Sequence, residues 1–405
     1  MVEFASLSNT LTGVRLETAI NQERLVRDVA EQILLLDPNE YPLVVISSKL
    51  RKRSCKQTKF EWQEDKFTKP YMTYKSGDDS SGGDFSDETS LTVDTDEYIP
   101  YQKWDAFLNM NSGEIIYLTE TPTSETINNI VRGAFGTTPA YMTADDKLWY
   151  IGNVVEEAAG APVAIHTKIT MPYNYVTKLK TAVEMSGDML ADETYGGPDW
   201  EYFRRKKGVE HARKIERLFW WGQRGIDTSI QNSAHMSRGV MHWLSADNII
   251  SNSSGAYTAQ QLFEDMETIG RYGAGMRTAF CAPRALTTIS GWGLDDLQTI
   301  PSDETYGINI KRLVTPHLDL NLVKTKMFQD MGGQSHPTWG NPNTLMVLLQ
   351  MDKLAYVFKR GRDTHYIANI QLKEDDLQKD QYFSQVGIQF EQPEIHGAID
   401  GVTTS

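Results

Sequence analysis

DWEYFRRKKGVEHARKIERLFWWGQRG, residues 199–225, decides the reading of this chain. Within it Val209, Ala212, Ile215, Leu218 and Phe219 recur at the three- to four-residue spacing that lines side chains along one face of an α-helix. Pro198 ahead of the stretch, and Gly222 and Gly225 behind it, are start and stop signals. At 1.5 Å per residue, about 23 helical residues extend roughly 35 Å, the width of a small domain. The opposite face carries Arg204, Arg205, Lys206, Lys207, Arg213, Lys214 and Arg217 against only Glu210 and Glu216. Charged helix faces are commonly just solvated surface. Here an acidic counterpart elsewhere in the chain favours a spine on which other elements and other subunits are hung.

Working outward, the whole chain of 405 residues is acidic, with 54 Asp and Glu against 40 Lys and Arg and a net charge of −14. That balance argues against a protein built to grip nucleic acid, because phosphate contact needs a dominant basic surface. It suits one that sits beside nucleic acid without sticking. The length accommodates two or three domains and a sizeable core. Two cysteines, Cys55 and Cys281, rule out a disulfide framework and an all-cysteine zinc site, and a reducing, intracellular origin is the simplest inference. The N-terminal MVEFASLSNTLTGVRLETAI lacks the basic and apolar regions of an export signal, and no run of about 18 apolar residues suggests a membrane helix.

Before the spine, NQERLVRDVAEQILLLDPNEYP places Leu25, Val29, Ile33 and Leu36 on the stripe of an amphipathic helix that Asp37-Pro38 ends. A basic cluster follows, Arg51, Lys52, Arg53, Lys56 and Lys59. Between Ser76 and Glu97 come Asp78, Asp79, Asp84, Asp87, Glu88, Asp94, Asp96 and Glu97 with no Lys or Arg, which reads as an extended acidic loop in a Gly/Ser background. EIIYLTE, TINNIVRG and KLWYIGNVV, between residues 114 and 155, are β-branched or aromatic runs that predict short strands of a β-rich subdomain.

After the spine, Thr258 and Gln261 have capping-box spacing ahead of the stripe Leu262, Phe263, Met266 and Ile269. RTAFCA reads as a strand, and Pro283 opens a short helix. Leu318, Leu320 and Leu322 alternate along another strand, and four β runs close the chain. Helices beside an antiparallel sheet make this an α+β protein.

Reactive constellations are missing from the sequence. There is no phosphate-binding Gly-Lys-Ser/Thr loop, no HExxH pair among the eight histidines, and no Gly-x-Ser-x-Gly elbow. A two-acid glycosidase survives on counting alone, yet the acids concentrate in a loop unsuited to the positioning catalysis needs. No catalytic, cofactor-binding or metal-binding residue is assigned. Nine tryptophans leave a β-rich carbohydrate- or surface-binding protein as the alternative, but Trp200, Trp220 and Trp221 fall on or beside the spine, where packing explains them.

The order of elements resembles the major capsid protein of tailed phages with the Hong Kong 97-like fold, and more narrowly the major head protein family typified by phage SU-ten. The stretches that carry the resemblance are ILLLDPNEYPLVVISS, FEWQED, IVRGAFGTTPA, NYVTKLKTAVEMSGDMLADETYGG, HARKIERLFWWGQRG and QVGIQFEQPEIHGAIDGV, and together they touch most of the chain from residue 28 to 402. The resemblance implies an N-terminal arm (1–45), an extended loop region (46–100), an inserted β-rich subdomain (101–168), and a peripheral domain (169–235) with its spine helix at about 199–221. An axial domain (236–371) and C-terminal peripheral-domain strands and tail (372–405) complete it.

The function it implies is a non-enzymatic, self-assembling subunit of an icosahedral virion capsid. Hexamers and pentamers form the head shell around double-stranded DNA, assembled in the host cytoplasm with no cofactor and no membrane. Portal and scaffolding proteins, and a decoration protein, are the expected partners. Candidate inter-subunit contacts are the acidic Asp78, Asp79, Asp84, Asp87 and Glu88, the basic Arg51, Arg53, Arg204, Arg205, Lys206, Lys207 and Arg213, and the apolar arm residues Leu25, Val29 and Ile33. In this reading the acidic loop of one subunit lies over the spine helix or the Arg51–Lys59 cluster of its neighbour.

Overall fold

The computed structural model describes residues 42–77, 88–157, 160–161, 163–166, 169–192, 199–229, 233–252, 255–292, 304–305, 308–315 and 317–403. Leu25, Val29, Ile33, Asp78, Asp79, Asp84 and Asp87 lie outside them. The chain divides into two compact units, one formed by residues 62–172 and the other by the segments on either side.

The 62–172 unit is built on a seven-stranded antiparallel sheet, in the order Thr126–Asn128, Ser90–Val93, Tyr71–Gly77, Lys147–Asn153, Asp105–Asn109, Ile115–Leu118 and Ile130–Val131. Its two edge strands, Thr126–Asn128 and Ile130–Val131, are separated in sequence by Asn129 alone, which sits at φ 58°. A sheet whose first and last strands are joined by one residue must roll until its edges meet, the geometry by which barrels remove exposed edges. Strand alternation then turns Met72, Leu91, Val93, Phe107, Ile116, Leu118, Ile127 and Leu148 inward to form one core.

This corrects two expectations. The boundary drawn at residue 100 cuts through a single sheet, because Tyr71–Gly77 and Ser90–Val93 pair with strands on the far side of it. Part of the acidic stretch also enters this sheet, as the strand Ser90–Val93. Leu91 and Val93 are buried, and Glu97 accepts hydrogen bonds from the Thr73 amide (2.7 Å) and Lys69 Nζ (2.9 Å).

In the other unit, the helix Asp199–Trp221 runs against a five-stranded sheet. The long strand Leu377–Phe390 is the centre of this sheet, with Thr177–Ser186 on one side and Leu354–Lys359 and His365–Ile367 on the other. Lys52–Cys55 adds to Leu354–Lys359 in parallel. A second sheet of seven strands runs Ile249–Ser251, Gly397–Asp400, Met346–Leu349, Met276–Cys281, Asp319–Lys324, Ile308–Val314 and Glu304–Thr305. Two of its pairings are parallel, so the antiparallel expectation holds only in part. The helix Ala259–Ile269 starts in the expected reciprocal cap: Gln261 N donates to Thr258 Oγ1 (3.3 Å) and Thr258 N donates to Gln261 Oε1 (2.9 Å). Leu262, Met266 and Ile269 are buried on its inner face, and Phe263 is partly exposed.

The expected axial and C-terminal segments interleave between these sheets. Leu354–Lys359 and His365–Ile367 join the sheet beside the long helix, whereas Gly397–Asp400 joins the other. Among the described residues no helix is long and apolar enough to cross a membrane.

Candidate functional site

The helix expected from 199–225 is present as Asp199–Trp221, and its anchoring groups form the most constrained part of the unit. Its buried residues are His211, Ile215, Glu216, Leu218, Phe219 and Trp220. Glu216 is therefore a correction: it belongs to the buried side, four residues before Trp220, and its exposure is 0%.

The Glu216 carboxylate accepts hydrogen bonds from the amides of Leu43 (3.1 Å) and Val44 (2.7 Å) and from Trp220 Nε1 (2.9 Å). Leu43 and Val44 lie in the first turn of the helix Pro42–Leu50, where amide groups lack intrahelical acceptors and the helix dipole favours a negative charge. Burial outweighs these three donors and pushes the Glu216 carboxyl up to about 7. The point at which the chain arrives from its first 41 residues is thus bolted to the spine by one acid.

Halfway along the helix, His211 lies between Thr181 Oγ1 (3.0 Å) and Ser384 Oγ (2.6 Å), tying the helix to the long central strand and to its neighbour Thr177–Ser186. Burial, with the Lys214 ammonium nearby, pushes its imidazole down to about 4 and keeps it neutral. Two turns earlier, the Tyr382 hydroxyl donates to the Arg204 carbonyl (3.0 Å), and one turn earlier its ring passes Gly208 so closely that an added Cβ would meet it at 3.2 Å. At the C-terminal end Phe219 packs edge-on against Tyr356 of the first sheet. Trp220 packs edge-on against Phe280 and Phe328 at 5.2 and 5.0 Å, reaching the second sheet. A side chain at Gly222 would strike the Ser237 carbonyl at 2.2 Å, so the stop signal is also a close-approach site.

The expected contact residues are dispersed. Arg51 pairs with Glu391 of its own chain (2.8 Å), and Arg53 donates to Gln389 Oε1 (2.7 Å). Lys52 pairs with Asp363 and Lys59 with Glu61. Lys207 pairs with Glu210 one turn on (2.7 Å), and the Arg204 guanidinium lies over the Tyr366 ring at 5.4 Å. Arg205 is exposed, while Lys206 and Arg213 are half-buried. Glu88 is a second correction. It is buried and bonded to Arg132, and is no solvated loop charge.

Arg132 is the residue that sequence reasoning missed. Its guanidinium grips Glu114 with two parallel bonds (2.7 and 2.8 Å) and Glu88 with a third. Glu114 in turn accepts from the amides of Gly133 (2.9 Å) and Ala140 (3.1 Å). The signal was available, since alternation along Ile130, Val131 and Arg132 places 130 and 132 on one inner face. Neither buried cluster offers a reactive centre. Among the described residues no three His, Cys, Asp or Glu side chains converge to hold a metal, and Cys55 and Cys281 are buried thiols. Trp220, the largest fully buried side chain, is core, in line with packing as the role of the spine tryptophans.

The family model of the SU10 major capsid protein matches residues 8–403. No curated protein matches the chain. Among solved structures, the capsid of a native GTA particle aligns with a TM-score of 0.50 at 7% identity, over 93% of this chain and 95% of that one. A Microbacterium phage Oxtober96 structure aligns at 0.48 and 11% identity, covering 94% and 97%. One from Mycobacterium phage Adephagia aligns at 0.46 and 8% identity, covering 96% and 98%. At such identities only the fold is shared, and it is the Hong Kong 97-like capsid fold expected above. The chain belongs to the SU10 major capsid protein family and is a subunit of a capsid shell.

Proposed function

We propose that this subunit tiles as hexamers and pentamers into the icosahedral head shell of a tailed phage, built in the host cytoplasm around double-stranded DNA. The family match across residues 8–403 carries the reading. The role is structural, with no reaction to catalyse. Portal, scaffolding and decoration proteins are its partners, and the net charge of −14 suits a wall that leaves packaged duplex mobile, since like charges repel.

Between copies, the acidic stretch of one subunit meets a basic surface of the next. Exposed pairs contribute only about 0–1 kcal/mol each, so charge sets register and suppresses wrong contacts while apolar faces supply most of the association. Repetition over many copies makes weak contacts durable and lets errors dissolve. Arg51 and Arg53 already have partners within the chain, which leaves Arg204 and Arg205 at the spine's exposed end as the better-placed cations.

Negative-stain microscopy of the expressed protein tests the proposal: closed shells are expected, and discrete small oligomers at every concentration contradict it. Replacing Arg204, Arg205, Lys206 and Lys207 by Glu is expected to yield aberrant particles or none. Normal shells from that variant would remove the spine from the pairing.

A further inference from the structure

Two backbone segments are pressed together where the spine helix ends. Gly239 N donates to the Gly222 carbonyl at 2.7 Å, and a side chain at Gly239 would strike the Trp220 carbonyl at 2.7 Å, as one at Gly222 would strike Ser237. The buried Asn174, on the strand Tyr173–Tyr175, fixes the second segment. Its Nδ2 donates to the Arg238 carbonyl (3.1 Å), and its Oδ1 accepts from the Arg238 amide (2.8 Å). This approach brings Arg224 and Arg238 to one indole. The Arg224 guanidinium lies over the Tyr173 ring at 4.1 Å and over the Trp243 ring at 5.7 Å, and the Arg238 guanidinium lies over Trp243 at 4.4 Å.

What these two cations lack is an acid. Arg224 donates to the Tyr173 carbonyl (3.0 Å) and Arg238 Nε to the His242 carbonyl (2.9 Å), and neither has a carboxylate partner among the described residues. Arg51 on Glu391, Arg312 on Asp319 and Arg132 on its two glutamates are, by contrast, neutralised within the chain. Lys59, over the Tyr173 ring at 4.3 Å, has Glu61. Asp227, three residues from Arg224, is occupied by the Ser229 amide (2.9 Å) and hydroxyl (2.5 Å). Burial, with the Arg224 guanidinium nearby, pulls the Arg238 guanidinium below its ordinary value, as expected of like charges held together. A ring face orients a guanidinium without neutralising it, and each fork keeps N–H donors to spare. Both side chains are half-buried, so solvent reaches them.

Two oriented guanidiniums with unspent charge fit phosphate oxygens. Both rings are taken by the cations, which leaves bases no face to stack on, so the pair reads charge and not sequence. We infer that Arg224 and Arg238 form a binding site for the phosphodiester backbone of nucleic acid, and that in the shell it is a point of contact for packaged DNA. The inference rests on the shell reading. It also fits the net charge of −14, because sequence-independent phosphate contacts let a duplex slide while the rest of the wall repels it.

The test is binding of a short fluorescent duplex to the full, unassembled chain over a range of salt. Arg224→Gln with Arg238→Gln is expected to weaken binding about tenfold at low salt, and to flatten the slope of log affinity against log salt by about 1.8, the value for two lost phosphate contacts. Arg312→Gln with Lys379→Gln removes the same charge from ion pairs to Asp319 and Glu184 and should leave affinity unchanged. No loss in the first variant, or equal loss in both, overturns the inference. Tighter binding of poly-glutamate than of the duplex at the same salt assigns the site to an acidic protein segment and also overturns it. A second measurement needs no substitution. Ultraviolet cross-linking of DNA in filled wild-type particles, mapped by mass spectrometry, is expected to mark Tyr173 or residues 224–243, and cross-links absent from them overturn the contact with packaged DNA. Absence of shells from the wild-type chain is the separate failure of the shell reading.

Discussion

The rolled sheet of residues 62–172 and the spine helix both bury carboxylates, and they hold them in opposite ways. In the sheet, Glu114 and Glu88 close on the guanidinium of Arg132, a charge that persists at every working pH. On the spine, Glu216 has amide and indole donors but no cation among its hydrogen-bond partners, and its carboxyl sits near 7. The first arrangement locks a closed sheet. The second places an adjustable charge where the incoming chain joins the helix.

The largest way to break the contrast is Arg132→Met, which strands two buried carboxylates. A loss of about 3–5 kcal/mol is expected from removing one partner of a buried pair. Urea unfolding of the full chain checks it, and a change under about 0.5 kcal/mol would show the cluster to be incidental, as surface changes are. Next, Trp220→Ala empties the contact between the spine and Phe280 and Phe328, with an expected cost of about 3–5 kcal/mol in the same measurement.

The pH dependence sharpens the comparison. Folded Glu216 holds its proton more tightly than an unfolded carboxyl with a value of 4.5, so its contribution is full below 4.5 and lost as pH rises through about 7. The span amounts to roughly 3 kcal/mol at about 1.36 kcal/mol per unit. His211 runs the other way: its contribution is full above 6.5 and lost as pH falls through about 4. Between pH 4.5 and 6.5 the two slopes oppose. Glu216→Gln removes one of them, so the variant should lose stability more steeply than the wild type on acidification below pH 6.5. Parallel pH profiles for the two proteins would sink the assignment. The smallest effect is Tyr382→Phe, which deletes the bond to the Arg204 carbonyl. It should cost about 1 kcal/mol, seen as a small drop in Tm.

Much of this was legible in the residues. The spine, the capped helix at Ala259–Ile269 and the strands within EIIYLTE, TINNIVRG and KLWYIGNVV follow from periodicity and capping chemistry, which are local, whereas Ser90–Val93 lies in the stretch that reads as an acidic loop. What local pattern could not supply was pairing at a distance. Arg132 and Glu88 are 44 residues apart, and Glu216 meets Leu43 across 173, so charge in the sequence looked like surface where it is interior. The same limit misplaced the boundary at residue 100, because register between Tyr71–Gly77 and Lys147–Asn153 is a tertiary fact. The contact candidates suffered most. Arg51 and Arg53 read as free cations until the fold brought Glu391 and Gln389 beside them.

The central claim is that this chain completes its structure among copies of itself. Sedimentation velocity over a range of protein concentration and salt addresses it most directly: large closed particles in equilibrium with small capsomers are expected, their proportion rising with concentration. A single monomer boundary under every condition would contradict the account.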